Sequence, residues 1–529
     1  MGVKVDRSFF PVKWGWIILS LFSAFLLNLS FPYPGHSILA WISLVPLFIV
    51  LLTQNLKRTL LSALITGILF NVFYLNWMKE YKHPASLPGG VLVVLLSFVF
   101  ASMLCWFLIR LPGPHKRWFV SVILGTAGWL AVDYLKTIGY LAFPWGILAY
   151  SQYRILPLIQ SASVLGVWGI DFVLLFFNMT VAAVLVEIRF FKGLRKNRVN
   201  IAVCGLLLLL LVAYGLWELR EERREVFRTA RVAMVQANFD PWSPQLDENL
   251  EVEMDLTRRS LRYDPDLVVW SESSVPIPYE YYLARGERHA VKVHNFIRSV
   301  GRPFLFGSIE FDGVVQNDEY IGDFYNVALF YNRGRLEDVY RKIHLVPFGE
   351  WFPYGRIFPF VSRILEEAGA GDFTPGTEYV VFDTGIFSFS VLICFEDVFG
   401  NLTRGFMAGS PELLINVTND AWTWSEKAEV QHFSISVFRT IETGRSLVRA
   451  ANGGVTVCVN PYGRVIDSLP LFVTDFLVCD VPLQDGDKTT IYTRFGDFFP
   501  KGVWVFLIFC MLWSFVKKVI DRMKKKNNM

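Results

Sequence analysis

Three segments of this sequence end an apolar, strand-like run in a residue that can do chemistry. Val268-Val269-Trp270-Ser271-Glu272-Ser273-Ser274 places Glu272 where a strand gives way to a turn. Tyr340-Arg341-Lys342-Ile343-His344-Leu345-Val346-Pro347-Phe348-Gly349-Glu350 carries a lysine and then a second glutamate. Val391-Leu392-Ile393-Cys394-Phe395-Glu396-Asp397 ends in a cysteine followed by two acids. Read singly, each has a plain structural meaning. Glu272 caps a turn, Lys342 is a surface lysine, Cys394 is an inert core thiol, and His344 serves structure as readily as chemistry. Read together they describe acyl transfer through a covalent intermediate. A cysteine nucleophile needs a base to become thiolate, which Glu272 can supply. The tetrahedral intermediate needs a cation or N–H donor, which Lys342 and backbone groups after Cys394 can supply.

These residues must be held by an α/β domain. Short β-prone runs recur at Arg231–Gln236, Asp266–Trp270, Pro303–Ile309, Asn326–Tyr331, Phe387–Ile393, Leu413–Val417 and Val455–Val459. Helix-like stretches fall between them at Asn249–Tyr263, Ala290–Val300 and Glu429–Ala451. Asn332-Arg333-Gly334-Arg335 and Asn460-Pro461-Tyr462-Gly463-Arg464 read as hairpin turns. Strands alternating with helices, plus hairpins, imply mixed sheets. There is no P-loop, GxGxxG after a strand, HExxH or GxSxG, so the common nucleotide, zinc and serine-hydrolase signals are missing.

The remainder reads as membrane. Apolar runs near the ~20 residues that cross a bilayer as a helix occupy roughly 14–31, 38–53, 59–78, 90–109, 118–136, 160–187 and 200–218, and an eighth lies at 502–517. The chain is 53% hydrophobic and only 19% charged. Soluble domains average about 25% charged, so a purely soluble protein and a disordered one are both excluded. A net charge of +4 is too small to suggest a nucleic-acid partner. Basic residues set the orientation. Lys4, Arg7, Lys13, Lys57, Arg58, Arg110, Lys116, Arg117, the Arg189–Arg198 loop and the tail after Lys517 fall on one side. Only Lys79, Lys82, Lys136 and Arg154 fall on the other. Both termini are therefore expected in the cytoplasm and residues 220–500 outside it. Intramembrane acids are few, chiefly Asp133 and Asp171, which argues for a scaffold rather than a conduit. The expected domains are a bundle of seven helices over 1–219, an extracytoplasmic catalytic domain over 220–500, and a last helix with a basic tail over 501–529. Trp217 to Glu225 alternates charges at helical spacing and suggests a solvated stalk.

The six cysteines contain no CxxC pair and make neither a disulfide scaffold nor a zinc module. Cys105, Cys204 and Cys510 lie in apolar spans. Cys458 and Cys479 lie in β-like runs, either as core thiols or as a disulfide in an oxidising compartment. The loop Trp351-Phe352-Pro353-Tyr354-Gly355-Arg356-Ile357-Phe358-Pro359-Phe360-Val361 is aromatic and weakly charged. It suits either the lipid headgroup boundary or a buried cover over the site; a lid satisfies both.

In their order and at their strand ends, Glu272, Lys342 and Cys394 resemble the Glu-Lys-Cys triad of the carbon–nitrogen hydrolase (nitrilase) superfamily. Asn416-Val417-Thr418-Asn419-Asp420-Ala421-Trp422 is similar to the segment after that superfamily's cysteine strand. Phe143-Pro144-Trp145-Gly146-Ile147-Leu148-Ala149-Tyr150-Ser151-Gln152, Gly166-Val167-Trp168-Gly169, Leu345–Glu350 and Ile491-Tyr492-Thr493-Arg494-Phe495-Gly496-Asp497 resemble its membrane branch, the apolipoprotein N-acyltransferase family. The resemblance implies a polytopic helical bundle of about eight spans joined to a four-layer α-β-β-α sandwich. It implies an acyltransferase of the bacterial inner membrane with its catalytic domain on the periplasmic side. The acyl donor would be a phospholipid and the acceptor a diacylglyceryl lipoprotein, with no metal, nucleotide or other cofactor. By motif, Glu350 is implied as a second glutamate holding the lysine region and Glu396 as a further essential acid. Substrate contacts are expected at Trp351, Phe352, Phe358, Trp422 and Trp242. Two departures stand out. Trp242 follows Gln236-Ala237-Asn238 outside the family's register, and Trp422-Thr423-Trp424 replaces its Trp-Phe-Gly. Two other readings compete: a membrane-anchored amidase that passes the acyl group to water, and a non-catalytic scaffold or transporter.

Overall fold

The structure is a computed structural model describing residues 14–80, 86–112, 118–225, 227–242, 245–316, 319–352, 354–355, 357–360, 363 and 371–527. Lys4, Arg7, Lys13, Lys82, Lys116, Arg117, Pro353, Arg356 and Val361 lie outside the described residues. The chain forms two compact units, one from residues of 1–78, 85–217 and 495–529 and one from those of 79–84 and 218–494.

Among the described residues six helices are long and apolar enough to cross a membrane: Leu56–Tyr74, Gly89–Leu108, Trp118–Leu135, Val167–Phe191, Arg195–Glu222 and Phe498–Lys524. The two earliest expected spans are shorter. Gly15–Ser30 has 16 residues, about 24 Å of helix against the ~30 Å of hydrocarbon. The next divides into a 3₁₀ turn, Ser37–Trp41, and the helix Val45–Thr53. The run expected over 160–187 is also broken. Gly166 turns left-handed at φ +65°, which separates Ala162–Leu165 from the long helix Val167–Phe191. Some polar groups inside the first unit find internal partners, as hydrocarbon favours. Asn178 accepts from the Leu44 N–H and donates to the Ala40 carbonyl, each at 2.9 Å. Asp133 pairs with Lys136 at 2.7 Å, both buried.

The second unit is a sandwich of two sheets. Its first strands are β1 (Arg228–Gln236), β2 (Leu267–Val269), β3 (Val275–Pro278), β4 (Phe304–Gln316), β5 (Glu319–Asn332) and β6 (Arg335–Arg341). A second sheet takes β7 (Phe382–Asp383), β8 (Ser388–Ile393), β9 (Leu413–Thr418), β10 (Ser446–Ala451), β11 (Val457–Val459) and β12 (Val465–Ser468). Finally β13 (Asp475–Leu483) returns to pair antiparallel with β1. The sheet orders are β13-β1-β2-β4-β5-β6, with β3 on β4, and β12-β11-β10-β9-β8-β7.

Strand alternation builds two apolar layers from each strand. Val327, Leu329 and Tyr331 of β5 face an outer core with Leu250, Met254, Phe296 and Ile297 from the helices Leu246–Ser260 and Arg288–Val300. Between them on β5, Phe330 points the other way and meets Phe389 of β8, with ring centroids 5.3 Å apart. The fold is thus the four-layer α-β-β-α sandwich, with Glu426–Thr443 covering the second sheet. Both hairpins form: Arg333 and Gly334 take positive φ between β5 and β6, and Asn460–Arg464 turns β11 into β12. One expected element is corrected. The helix read over Glu429–Ala451 stops at Thr443 because Gly444 adopts φ +67°. Ser446–Ala451 is then a fully buried strand. All six cysteines are free thiols, Cys458 and Cys479 included.

Candidate active site

Topology brings the three strand-end residues together. Strands β1, β2 and β4 are parallel, and β6 regains the direction of β4 through two antiparallel steps. The chain leaves β2 and β6 at the same edge, so Glu272 and Lys342 meet there. In the facing sheet β8, β9 and β10 are parallel, and Cys394 follows β8 directly. Open parallel sheets gather ligand groups beyond the carboxyl ends of their strands for this reason.

Lys342 is buried and its Nζ lies 3.2 Å from Glu272 Oε1 and 2.9 Å from Glu350 Oε1. The Asn326 amide donates to the same two oxygens, each at 2.9 Å. The outer oxygens are held by backbone: Asn419 N–H donates to Glu272 Oε2 at 3.0 Å and Val346 N–H to Glu350 Oε2 at 2.7 Å. A buried ammonium without such partners would cost several kcal/mol. Burial works against its charge, but Glu272 and Glu350 outweigh that and hold Lys342 well above the ordinary lysine range. Two further features aim the acid. Ser273 takes φ +56°, and Gly307 of β4 leaves room for the turn, since a Cβ there would sit 2.6 Å from the Glu272 Cα.

Cys394 itself takes φ +52°, a left-handed conformation that costs a non-glycine residue about 1–3 kcal/mol. It lifts the side chain out of the strand's alternation, and the residue is partly exposed. Burial of the sulfur and the nearby Glu272 push the thiol well above its ordinary range, with Lys342 opposing them. The resting group is therefore the neutral thiol, and ionisation waits for a proton acceptor. Glu272 is the carboxylate and Lys342 the cation whose charges act on that thiol.

The other expected residues separate into groups. Glu350 is part of the lysine cluster. Glu396 is fully buried and takes its hydrogen bonds from other groups, accepting from the Tyr340 hydroxyl at 2.8 and 2.9 Å and from the N–H groups of Ile343, His344 and Ile393. It ties the lysine segment to the nucleophile turn. Burial raises its carboxyl to about 7. His344 packs against Phe399 with ring centroids 4.1 Å apart and the rings tilted, and burial lowers it to about 4, so it is a neutral packing group. Trp242 and Trp422 meet edge to face at 4.9 Å, and Trp242 Nε1 donates to the Trp422 carbonyl at 3.1 Å. Trp351 and Phe352 are half-buried beside the lysine segment, and Phe352 contacts Phe348. Phe358 is exposed, as are Ile357 and Phe360.

Asn326 and the Asn419 N–H escape sequence reasoning. Asn326 is one residue within a β-prone run, and nothing local marks it as the bridge between two carboxylates. Among the described residues no group of acids, histidines or cysteines forms a metal site.

Fold and site together define an enzyme of the carbon–nitrogen hydrolase class, and residues 231–490 match the carbon–nitrogen hydrolase family model. Residues 23–180 match the model described as the apolipoprotein N-acyltransferase N-terminal domain. Similar curated proteins include an apolipoprotein N-acyltransferase of Geobacter metallireducens, 32% identical over 91% of this chain and 92% of the relative. Apolipoprotein N-acyltransferase 1 of Treponema pallidum is 34% identical over 89% and 90%, and that of Treponema denticola 30% over 96% and 98%. The chain belongs to the apolipoprotein N-acyltransferase family and is an acyltransferase. Among solved structures, an amidase of Nesterenkonia from the nitrilase superfamily aligns with a TM-score of 0.37 and 19% identity, over 49% of this chain and 92% of that one.

Proposed function

We propose that this protein transfers an acyl chain from a glycerophospholipid to the α-amine of a diacylglyceryl-cysteine at a lipoprotein's N-terminus. The observation that carries this reading is Cys394 on a left-handed strand end, sharing one edge of a sandwich with a lysine held by two glutamates. Apolar helices in the same chain support a lipid donor.

The steps follow from the groups present. Glu272 takes the Sγ proton as sulfur attacks the sn-1 ester carbonyl, and Lys342 faces the oxyanion. The ester C–O bond breaks, the departing lysophospholipid oxygen takes the proton from Glu272, and a thioester remains on Cys394. The acceptor amine then attacks the thioester and yields its proton to Glu272. The C–S bond breaks, and Glu272 returns the proton to sulfur. Loop charges favour a cytoplasmic-membrane protein with residues 220–500 on the periplasmic side.

The test is incubation of the full-length protein in detergent with phospholipid, followed by intact-mass analysis. An acyl adduct on Cys394, discharged by a diacylated lipopeptide with release of free thiol, is expected. No adduct with several phospholipid classes on folded protein overturns the reading. Discharge to water alone, with small amides also hydrolysed, makes the protein an amidase.

A further inference from the structure

Beneath Cys394 lies a cluster of charged side chains that the steps above do not use. Arg449 of β10 is fully buried. Its Nη1 donates to Asn416 Oδ1 at 2.8 Å and to Asp397, and its Nη2 donates to Asp420 Oδ2 at 2.5 Å. His432, on the helix Glu426–Thr443, faces Asp397 through Nε2 at 2.8 Å and Asp420 through Nδ1 at 3.0 Å. Asn416 completes the path to the nucleophile: its Nδ2 donates to the carbonyls of Cys394 and Leu392, each at 3.1 Å.

The charges balance within the cluster. Asp397 and Asp420 face Arg449 and His432. Burial opposes the imidazolium, but Asp397 and Asp420 raise His432 to about 9. Glu429, also buried, is pushed well above the carboxylate range by burial and by Asp420, so it is neutral. A guanidinium this deep is tolerated because three segments around it supply acceptors. Those segments are the turn after Cys394, the end of β9 and the loop beyond it.

We propose that Arg449 is a positioning residue for the nucleophile. Through Asn416 it pins the Cys394 carbonyl, and with it the left-handed turn that lifts the sulfur; its charge also favours the thiolate. The inference rests on Cys394 being the acyl carrier, and its test reads the thiol directly.

Wild type, Arg449→Gln and Arg449→Lys, as full-length proteins in detergent, are alkylated with iodoacetamide across a pH series. The Cys394 peptide is followed by mass, with thermal unfolding as the check of fold. For Arg449→Gln the alkylation midpoint is expected to rise by about one unit or more, and acyl-enzyme formation to fall about 100-fold. Arg449→Lys is expected to recover the midpoint in part but not the rate, because an ammonium cannot hold Asn416 and both aspartates at once. A folded Arg449→Gln with the wild-type midpoint overturns the inference. If that variant does not fold, Asn416→Ala decides: it leaves both aspartates on Arg449 and frees the carbonyls of Cys394 and Leu392. Acyl-enzyme formation at least tenfold slower supports the pinning, and an unchanged rate overturns it. A wild type that takes no acyl group sinks the proposed donor, yet the midpoints still settle Arg449.

Discussion

Lys342 is held more closely by Glu350 than by Glu272: Nζ lies 2.9 Å from the first and 3.2 Å from the second. The two glutamates share the Asn326 amide as well, so their difference lies in what else they face. Glu350 Oε2 is held by the Val346 N–H of its own segment. Glu272 Oε2 is held by the Asn419 N–H from the loop beyond β9, and the Glu272 charge acts on the Cys394 thiol. This difference fits the proposed roles, Glu350 holding the lysine and Glu272 moving the proton.

Glu350→Ala is accordingly expected to be worse than its distance from the sulfur suggests. Removing one partner of a buried ion pair costs about 3–5 kcal/mol. Lys342 would then fall towards Glu272 and compete with proton transfer. Acyl-enzyme formation should drop at least 100-fold, while Glu350→Gln, which keeps an acceptor for Lys342, should lose less. Equal rates for the two variants would refute a charge-holding role.

Gly307→Ala tests the positioning of the base without touching a reactive group. The added Cβ would lie 2.6 Å from Glu272 Cα, 2.7 Å from Ser273 N and 2.8 Å from Ser271 O. Backbone has to move, and a shift near 1 Å in a catalytic group costs about 100-fold. The expectation is that loss in single-turnover acylation with Lys342 and Cys394 intact. A rate within threefold of wild type, at unchanged melting temperature, would show that the turn tolerates the shift.

His432 predicts a pH dependence of stability. Its folded value is raised from 6.5 to about 9, so the folded state holds the proton more tightly. The stabilisation is complete below pH 6.5 and is lost as pH rises through about 9. At about 1.4 kcal/mol per unit its upper bound is about 3 kcal/mol. Urea unfolding of wild type against His432→Gln between pH 6 and 10 isolates it. The difference between the two should shrink as pH rises, and a constant difference would rule the linkage out.

Because all six cysteines are thiols, denatured protein never exposed to reductant should take up six carbamidomethyl groups. Under native conditions Cys394 should react first, since the remaining thiols other than Cys510 are buried. An uptake of four in the denatured state would reveal a Cys458–Cys479 bond.

The reactive residues could be read from the chain because each closes a recognisable apolar run: Val268 to Trp270 before Glu272, and Val391 to Ile393 before Cys394. The apolar spans and both hairpin turns were legible for similar reasons, being set by local composition and by residues that accept positive φ. Local pattern failed where two elements follow each other with the same mixture of polar and apolar residues. Helix and strand over Glu429–Ala451 are such a stretch, and the conformation of Gly444 divides them.

The chain alone determines which residue types stand at strand ends, because alternation and turn chemistry are local. It cannot show that Asn326 bridges two carboxylates or that Arg449 reaches Asn416. Those contacts join segments far apart in the chain, and they exist only once two sheets are stacked and burial forces each charge to find a partner.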